Sequence, residues 1–245
     1  MTPTSTSTPD PLLNGATPHQ EQDQQQFSTG IEKFDEALGG GFLAGSAVVL
    51  QYPTASAGER LTYTFAIDDD HHTVYATPND DLELLRSDLP AEQARHDDAA
   101  DSLPATPVSL LDDDSNYTPL LEQPDSCLPD FAGGSVVLDT LTDYPADNGS
   151  LRDILATFMS WLRRTGSVAY LLIHDSDHPD HREQARIATD IVDAVIEYEA
   201  ADTAASNDAL HVSKLRHPPA NANDLPITME LGIDQEISGT PGETF

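Results

Sequence analysis

Several short stretches of this chain carry side chains whose types and spacing could do chemistry. The first is "QYPTASAGERLTY", residues 51–63, which joins the apolar run "SAVVL" to a helical pattern. A loop at such a junction can hold phosphate. Its glycines let successive backbone N–H groups turn toward the anion, a Lys reaches the β and γ phosphates, and a Ser or Thr meets magnesium. The candidate positions are Ala55, Ser56, Ala57, Gly58, Glu59 and Arg60. Set on that motif without a gap, the Lys position is Gly58 and the hydroxyl position Glu59. With one inserted residue, Glu59 replaces the Lys and Arg60 the Ser or Thr. The chain has only two lysines, Lys33 before the strand and Lys214 far beyond it. Glu59 also places a negative charge in the first helical turn, the end that otherwise attracts phosphate. Two unit charges about 4 Å apart repel by roughly 4 kcal/mol at an effective dielectric near 20. Arg60 can offset part of this as a guanidinium ligand, or pair with Glu59.

Two further acids end apolar runs. Asp139 closes "SVVLD", and Asp80 with Asn79 follows "HTVYAT". The loop "HDSDHPDH" gathers His174, His178 and His181 with Asp175, Asp177 and Asp180. It has the composition of a metal site. Pro179 disfavours a helix through the His178–His181 interval, and the plainer reading is a solvated acidic loop with His174 at a strand end. "SKLRH" brings Lys214, Arg216 and His217 together, and pairing with nearby acids is its expected role. Ser46, Ser56 and Ser176 lack a G-x-S-x-G elbow, so a hydrolase triad has no support. Cys127 is the single cysteine, so one chain forms neither a disulfide framework nor a Cys-based zinc site.

The elements that must position these residues read clearly. Residues 1–26 are rich in Thr, Ser, Pro and Gln and are expected to be a disordered tail. Residues 235–245 read as a second tail, leaving one domain over 27–234. Within it, "SAVVLQY", "HTVYAT", "ATPVSLL", "GGSVVLDTL" and "SVAYLLIHD" have strand character. Helical patterns lie between them, with Ile31, Phe34 and Leu38 in one and Leu61, Phe65 and Ala66 in another. In "SLRDILATFMSWLRRTG", Leu151, Ile154, Leu155, Phe158 and Leu162 form an apolar stripe, Ser150 is the cap and Gly166 the stop. Trp161 lies beside that stripe and should be partly buried. "HREQARIATDIV" is helical, and "DAVIEYE", "ALHVSKLR" and "PITMELGI" are late strands. Near-continuous apolar strands alternating with helices predict an α/β fold with a mostly parallel, two-sided sheet. Ligands in such sheets sit at the carboxyl ends of the strands, where the candidate residues fall.

Charge narrows the setting. The 245 residues carry 43 Asp plus Glu against 11 Lys plus Arg, a formal net charge of -32. The acids are spread along the chain rather than blocked in a tail. At 1 M salt the Debye length is roughly 3 Å and such self-repulsion is tolerable, so the composition predicts the cytoplasm of an extreme halophile. The same charge disfavours binding to nucleic acid or to anionic membranes. No stretch has the length and apolarity of a membrane span or a signal peptide.

In this order the pieces resemble the RecA superfamily, and most closely its KaiC-like branch. "FSTGIEKFDEALGGGFLAGSAVVL" is similar to the family's opening, and "YPTASAGERLTYTFA" stands where its phosphate loop (Walker A) belongs. "TVYATPNDDLELLRSDL" resembles the second strand and the acidic segment after it. "SVVLDTLTDY" resembles the Walker B strand, "SVAYLLIHDS" the sensor strand, and "LHVSKLRHPPANANDLPITMELGI" the closing strands. The resemblance implies a RecA-like P-loop NTPase fold with antiparallel late strands. It implies that Asp139 would hold magnesium through water and that Asp80 would orient the attacking water, Asn79 being unable to take a proton. It also implies that a Lys or Arg of the "KLR" type can reach nucleotide on a neighbouring subunit. Tyr144 and Pro145 would face ligand or a subunit interface. With the Lys, the hydroxyl and most glycines gone, the expectation is a degenerate Walker A, no bound cofactor and a non-catalytic regulatory protein. It would bind a protein partner such as a related active RecA/KaiC-like ATPase, or form a homo-oligomer. The alternatives are an ATPase using Arg60, Asp80 and Asp139 with ATP and magnesium, or an accessory protein of a RecA-like recombinase.

Overall fold

The structure, a computed structural model, describes residues 25–54, 56, 58–66, 71–77, 106–109, 119–143, 151–201, 207–218 and 226–231. Asn79, Asp80, Tyr144, Pro145 and Ser150 lie outside the described residues, as do the expected tails over 1–24 and 235–245. Gln25 and Gln26, placed in the first tail by composition, are part of the fold: Gln26 pairs with Leu43, and Gln25 hydrogen-bonds His71.

The strands are β1 (Gln26–Phe27), β2 (Phe42–Leu43), β3 (Ala47–Pro53), β4 (Thr73–Thr77), β5 (Thr106–Ser109), β6 (Ser135–Leu138), β7 (Val168–Asp175), β8 (Ala194–Glu199), β9 (Asp208–Leu215) and β10 (Ile227–Leu231). The helices are α1 (Glu32–Leu38), α2 (Gly58–Ala66), α3 (Pro119–Glu122), α4 (Pro124–Cys127), α5 (Leu151–Thr165) and α6 (Pro179–Ile191). Eight strands form one sheet in the order β10-β9-β8-β3-β7-β6-β4-β5. The pairs from β8 through β5 are parallel, while β9 and β10 add antiparallel at one edge. This is the predicted α/β architecture, with its late strands antiparallel.

Alternation along the strands separates two cores. On one face Val48, Leu50, Tyr170 and Leu172 meet Phe34 and Leu38 of α1 and Leu61 and Phe65 of α2. On the other, Val49, Val136, Leu171 and Ile173 meet α5 through Leu155, Phe158 and Leu162 and α6 through Ala188. Each Leu or Phe fully removed from water contributes about 1.5–3 kcal/mol, so the central strands are apolar because both faces are covered. Trp161, expected to be partly buried, is 2% exposed and stacks on Phe131 and Phe158.

The opening segment is fixed by one acid. Asp35 accepts hydrogen bonds from the Ser28 hydroxyl, the Thr29 hydroxyl and the Thr29 N–H at 2.6, 2.8 and 2.9 Å. Helix α1 then stops at Gly39, whose φ of 76° is left-handed. Gly41 lets the returning chain pair β2 with β1: a Cβ there would lie 2.0 Å from the Phe27 carbonyl oxygen.

Candidate functional site

Ligands in open α/β sheets bind where neighbouring strands send their connections to opposite faces. That point lies between β3 and β7. The chain leaves β3 into α2, which packs on one core, and leaves β7 into α6, which packs on the other. The crevice is therefore walled by the "QYPTASAGER" junction and by "HDS".

The chain bridges this crevice with its own groups. Tyr52, 2% exposed, places its hydroxyl 2.6 Å from His174 Nε2, and the two rings meet edge to face at a centroid distance of 4.6 Å. One residue further, the Thr54 hydroxyl donates to the Asp175 carbonyl oxygen at 3.2 Å. The junction is also closed on itself. The Ser56 N–H donates to the Pro53 carbonyl oxygen, and the Gly58 N–H to the Ser56 hydroxyl, both at 3.2 Å. Gly58 begins α2 hard against the tyrosine: a Cβ at position 58 would lie 2.5 Å from Tyr52 Cβ and 2.8 Å from Cγ. Ala55, Ala57 and the side chains of Glu59 and Arg60 lie outside the described residues.

Asp139 follows β6, and β7 separates it from β3. Its N–H donates to the Ala76 carbonyl oxygen at 2.8 Å, and its carboxylate accepts from the buried Tyr75 hydroxyl at 3.0 Å. The peptide bond to Thr140 is cis. The Thr140 hydroxyl donates to the Leu172 carbonyl oxygen at 3.1 Å, tying this strand end to β7. Asp139 is thus held at the carboxyl edge where sequence placed it.

The histidine loop is organised by Ser176. Its hydroxyl oxygen accepts from the His178 N–H at 3.1 Å and lies 3.0 Å from His181 Nδ1. Pro179 is the first residue of α6, so the helix begins between the two histidines, whose rings are 5.0 Å apart. Among the described residues no group of three or more His, Cys, Asp or Glu could hold a metal ion.

The basic pair meets its expected role at Arg216 and departs from it at Lys214. The Lys214 ammonium donates to the carbonyl oxygens of Thr189 and Asp190 at 2.7 and 2.9 Å, and Arg216 to those of Ile191 and Val192 at 3.1 and 3.3 Å. The two cations cap the last turn of α6, whose carbonyls have no partner within the helix. Among the described residues Lys214 makes no acid pair; its ammonium is held below its ordinary pKa by partial burial and by Arg216. Arg216 does have an acid beside it, Asp193 at 3.6 Å.

Sequence reasoning did not single out Tyr52 or Thr54. The available signal was a phenol and a hydroxyl at the end of an otherwise apolar strand, next to the suspect loop.

The chain matches a protein family over residues 26–239 and belongs to it; the description reads "Family of unknown function (DUF7125)". Among solved structures it is similar to a KaiC-like protein of the hyperthermophilic archaeon Pyrococcus horikoshii OT3. The identity is 16% and the TM-score 0.59, over 80% of this chain and 90% of that one. At that identity the likeness is one of fold, and the fold is the RecA-like one of KaiC-like proteins. No curated protein matches the sequence.

Proposed function

We propose that this is a non-catalytic, RecA/KaiC-like regulatory protein that acts by binding another protein. The observation that carries the reading is the closed junction after β3. A triphosphate needs free backbone donors, a lysine and a hydroxyl. Here the Ser56 and Gly58 N–H groups have intramolecular acceptors, Tyr52 bridges to His174, and no lysine lies in the loop. The donor set does not fit a magnesium nucleotide, and no catalytic step is derived through one. The partner is a protein, with a related active RecA/KaiC-like ATPase the favoured kind and self-association a further possibility. The acidic composition supports a halophile's cytoplasm as the setting. Among the described residues no helix is long and apolar enough to cross a membrane.

Titration calorimetry with Mg-ATP in molar KCl tests the reading: no saturable heat is expected, and micromolar affinity overturns it. Unfolding followed against KCl tests the setting, since full stability in dilute buffer would exclude it. Capture from the native host at high salt identifies the partner.

A second reading keeps ATP hydrolysis, with Arg60, Asp80 and Asp139 as its machinery. What favours it is the placement of Asp139 at the carboxyl edge of β6, beside β7. ATP hydrolysis abolished by Asp139→Ala would establish it.

A further inference from the structure

The same strand ends carry a second concavity on the α6 side of the sheet. Helix α6 covers β7, and the sheet continues past it through β3, β8 and β9. The space between them is a cleft of about 750 Å³, within the range of roughly 300–1,000 Å³ that small-molecule sites occupy. Gln51, Glu197 and Ser213 supply polar groups on its sheet side, and His181, Arg182 and Arg186 line its helix side.

The deciding residue is Gln51. It interrupts the apolar run of β3 and sits in register between Ile173 and Glu197, deep within the sheet rather than at an edge. Its side chain is half-buried, and among the described residues it makes no hydrogen bond. A half-buried amide that faces the cleft and has no partner in the chain among the described residues is free to bond a ligand in place of water. Glu197 and Ser213, on the neighbouring strands, are also without partners among the described residues.

The helix side is held in place. Arg186 bonds both carboxylate oxygens of Glu183 at 2.7 and 2.9 Å. Arg182 pairs with Asp177 and donates to the Ser176 carbonyl oxygen. Side chains fixed in this way lose little freedom when a ligand arrives.

Charge selects the ligand. Three cations, Arg182, Arg186 and Lys214, and three acids, Asp175, Asp177 and Glu197, line the cleft of a chain whose net charge is -32. A simple cation would be drawn to the acidic surface at large, and a simple anion repelled by it. A molecule carrying both signs a few ångströms apart matches an acid on the sheet side facing guanidinium groups on the helix side. We propose that this cleft binds a small zwitterion of the α-amino-acid class, with its ammonium at Glu197, its carboxylate toward Arg182, and Gln51 bonding between them. This site is independent of the phosphate-loop position and of any reading of it.

Titration calorimetry on the full chain, with glycine, L-glutamine, acetate and spermidine as probes, tests the proposal at a salt concentration where the chain is folded. Glycine or L-glutamine should bind with Kd at or below about 1 mM, and Glu197→Gln and Gln51→Leu should each weaken binding about tenfold, the loss of one good hydrogen bond. No amino-acid binding up to about 10 mM, or acetate or spermidine binding as well as the amino acids, overturns the proposal. So does unchanged affinity in Glu197→Gln, a variant at an exposed position that reads out even if Gln51→Leu fails to fold.

Discussion

The two ends of β3 are both cross-linked to the rest of the molecule, by different chemistry. At the amino end the bond is ionic. Asp193, 6% exposed, accepts the Ala47 N–H at 3.1 Å and has Arg163 and Arg216 at 3.4 and 3.6 Å. One carboxylate thereby gathers β3, β8, the end of α5 and the segment after β9. At the carboxyl end the bonds are neutral: Tyr52 with His174, Thr54 with the Asp175 carbonyl, Gly58 with Ser56. The amino end of such a strand is ordinarily a matter of stability and the carboxyl end a matter of ligands. Here both ends are built like the first kind. Scarce cations gather on Asp193 at the amino end, and among the described side chains none lies on the junction that follows β3.

That comparison can be broken most forcefully at the amino end. Asp193→Ala removes the acceptor of a buried N–H and one partner of two half-exposed arginines, and should cost about 1–3 kcal/mol in urea unfolding, most of it from the N–H. A loss under about 0.5 kcal/mol would mean that the ionic staple is ornamental. At the carboxyl end, Gly58→Ala drives a methyl group into the base of the Tyr52 side chain. It should cost about 1–3 kcal/mol as overpacking. Only a Tyr52→Gly background removes the Cβ as well as the ring, and there the same substitution should be close to neutral, or stabilising as alanine in a helix; equal costs in both backgrounds would refute the contact. Tyr52→Phe removes the bond to His174 while keeping the ring, and should cost about 1 kcal/mol. The smallest effect is a pH signature confined to the amino end. The Lys214 pKa is lowered in the folded chain, so the unfolded chain binds more protons between that value and the ordinary 10.5. Stability should therefore gain a small increment as pH rises through this window, and Lys214→Gln should flatten it. A slope unchanged in the variant would assign the effect to another group.

The framework was legible because its strands are apolar on both faces. "SAVVLQY", "GGSVVLDTL" and "SVAYLLIHD" contain β3, β6 and β7, and the helix over 151–165 follows its stripe to Gly166. The β1–β2 pair was not legible. Each strand has two residues, and their pairing depends on the three glycines folding the chain back rather than on any period. Helices α3 and α4 were missed for a similar reason, being four residues each and too short to show a helical period. At the site, the absence of a lysine from the loop after β3 could be read from letters alone. That Tyr52 would meet His174 could not, because the partners are 122 positions apart and joined only by the register of β3 with β7. The expectation for "SKLRH" erred on Lys214 because counting acids ignores the carbonyls at a helix end, which are fixed acceptors already in place.

The contact between Gly58 and Tyr52 also constrains what this chain could become. Setting the phosphate-loop motif on it without a gap puts the lysine at position 58, where even the first side-chain carbon would lie 2.5 Å from Tyr52 Cβ. A Gly58→Lys change made first would disrupt the start of α2 before it could attract any nucleotide. Only after position 52 had become glycine, losing its Cβ as well as its ring, could a lysine be accommodated, and that first step would itself give up the bond to His174. The order of substitutions is thus dictated by packing, and each intermediate is less stable than the chain it came from. A single glycine, packed against the base of a tyrosine side chain, thus bars a lysine from that position.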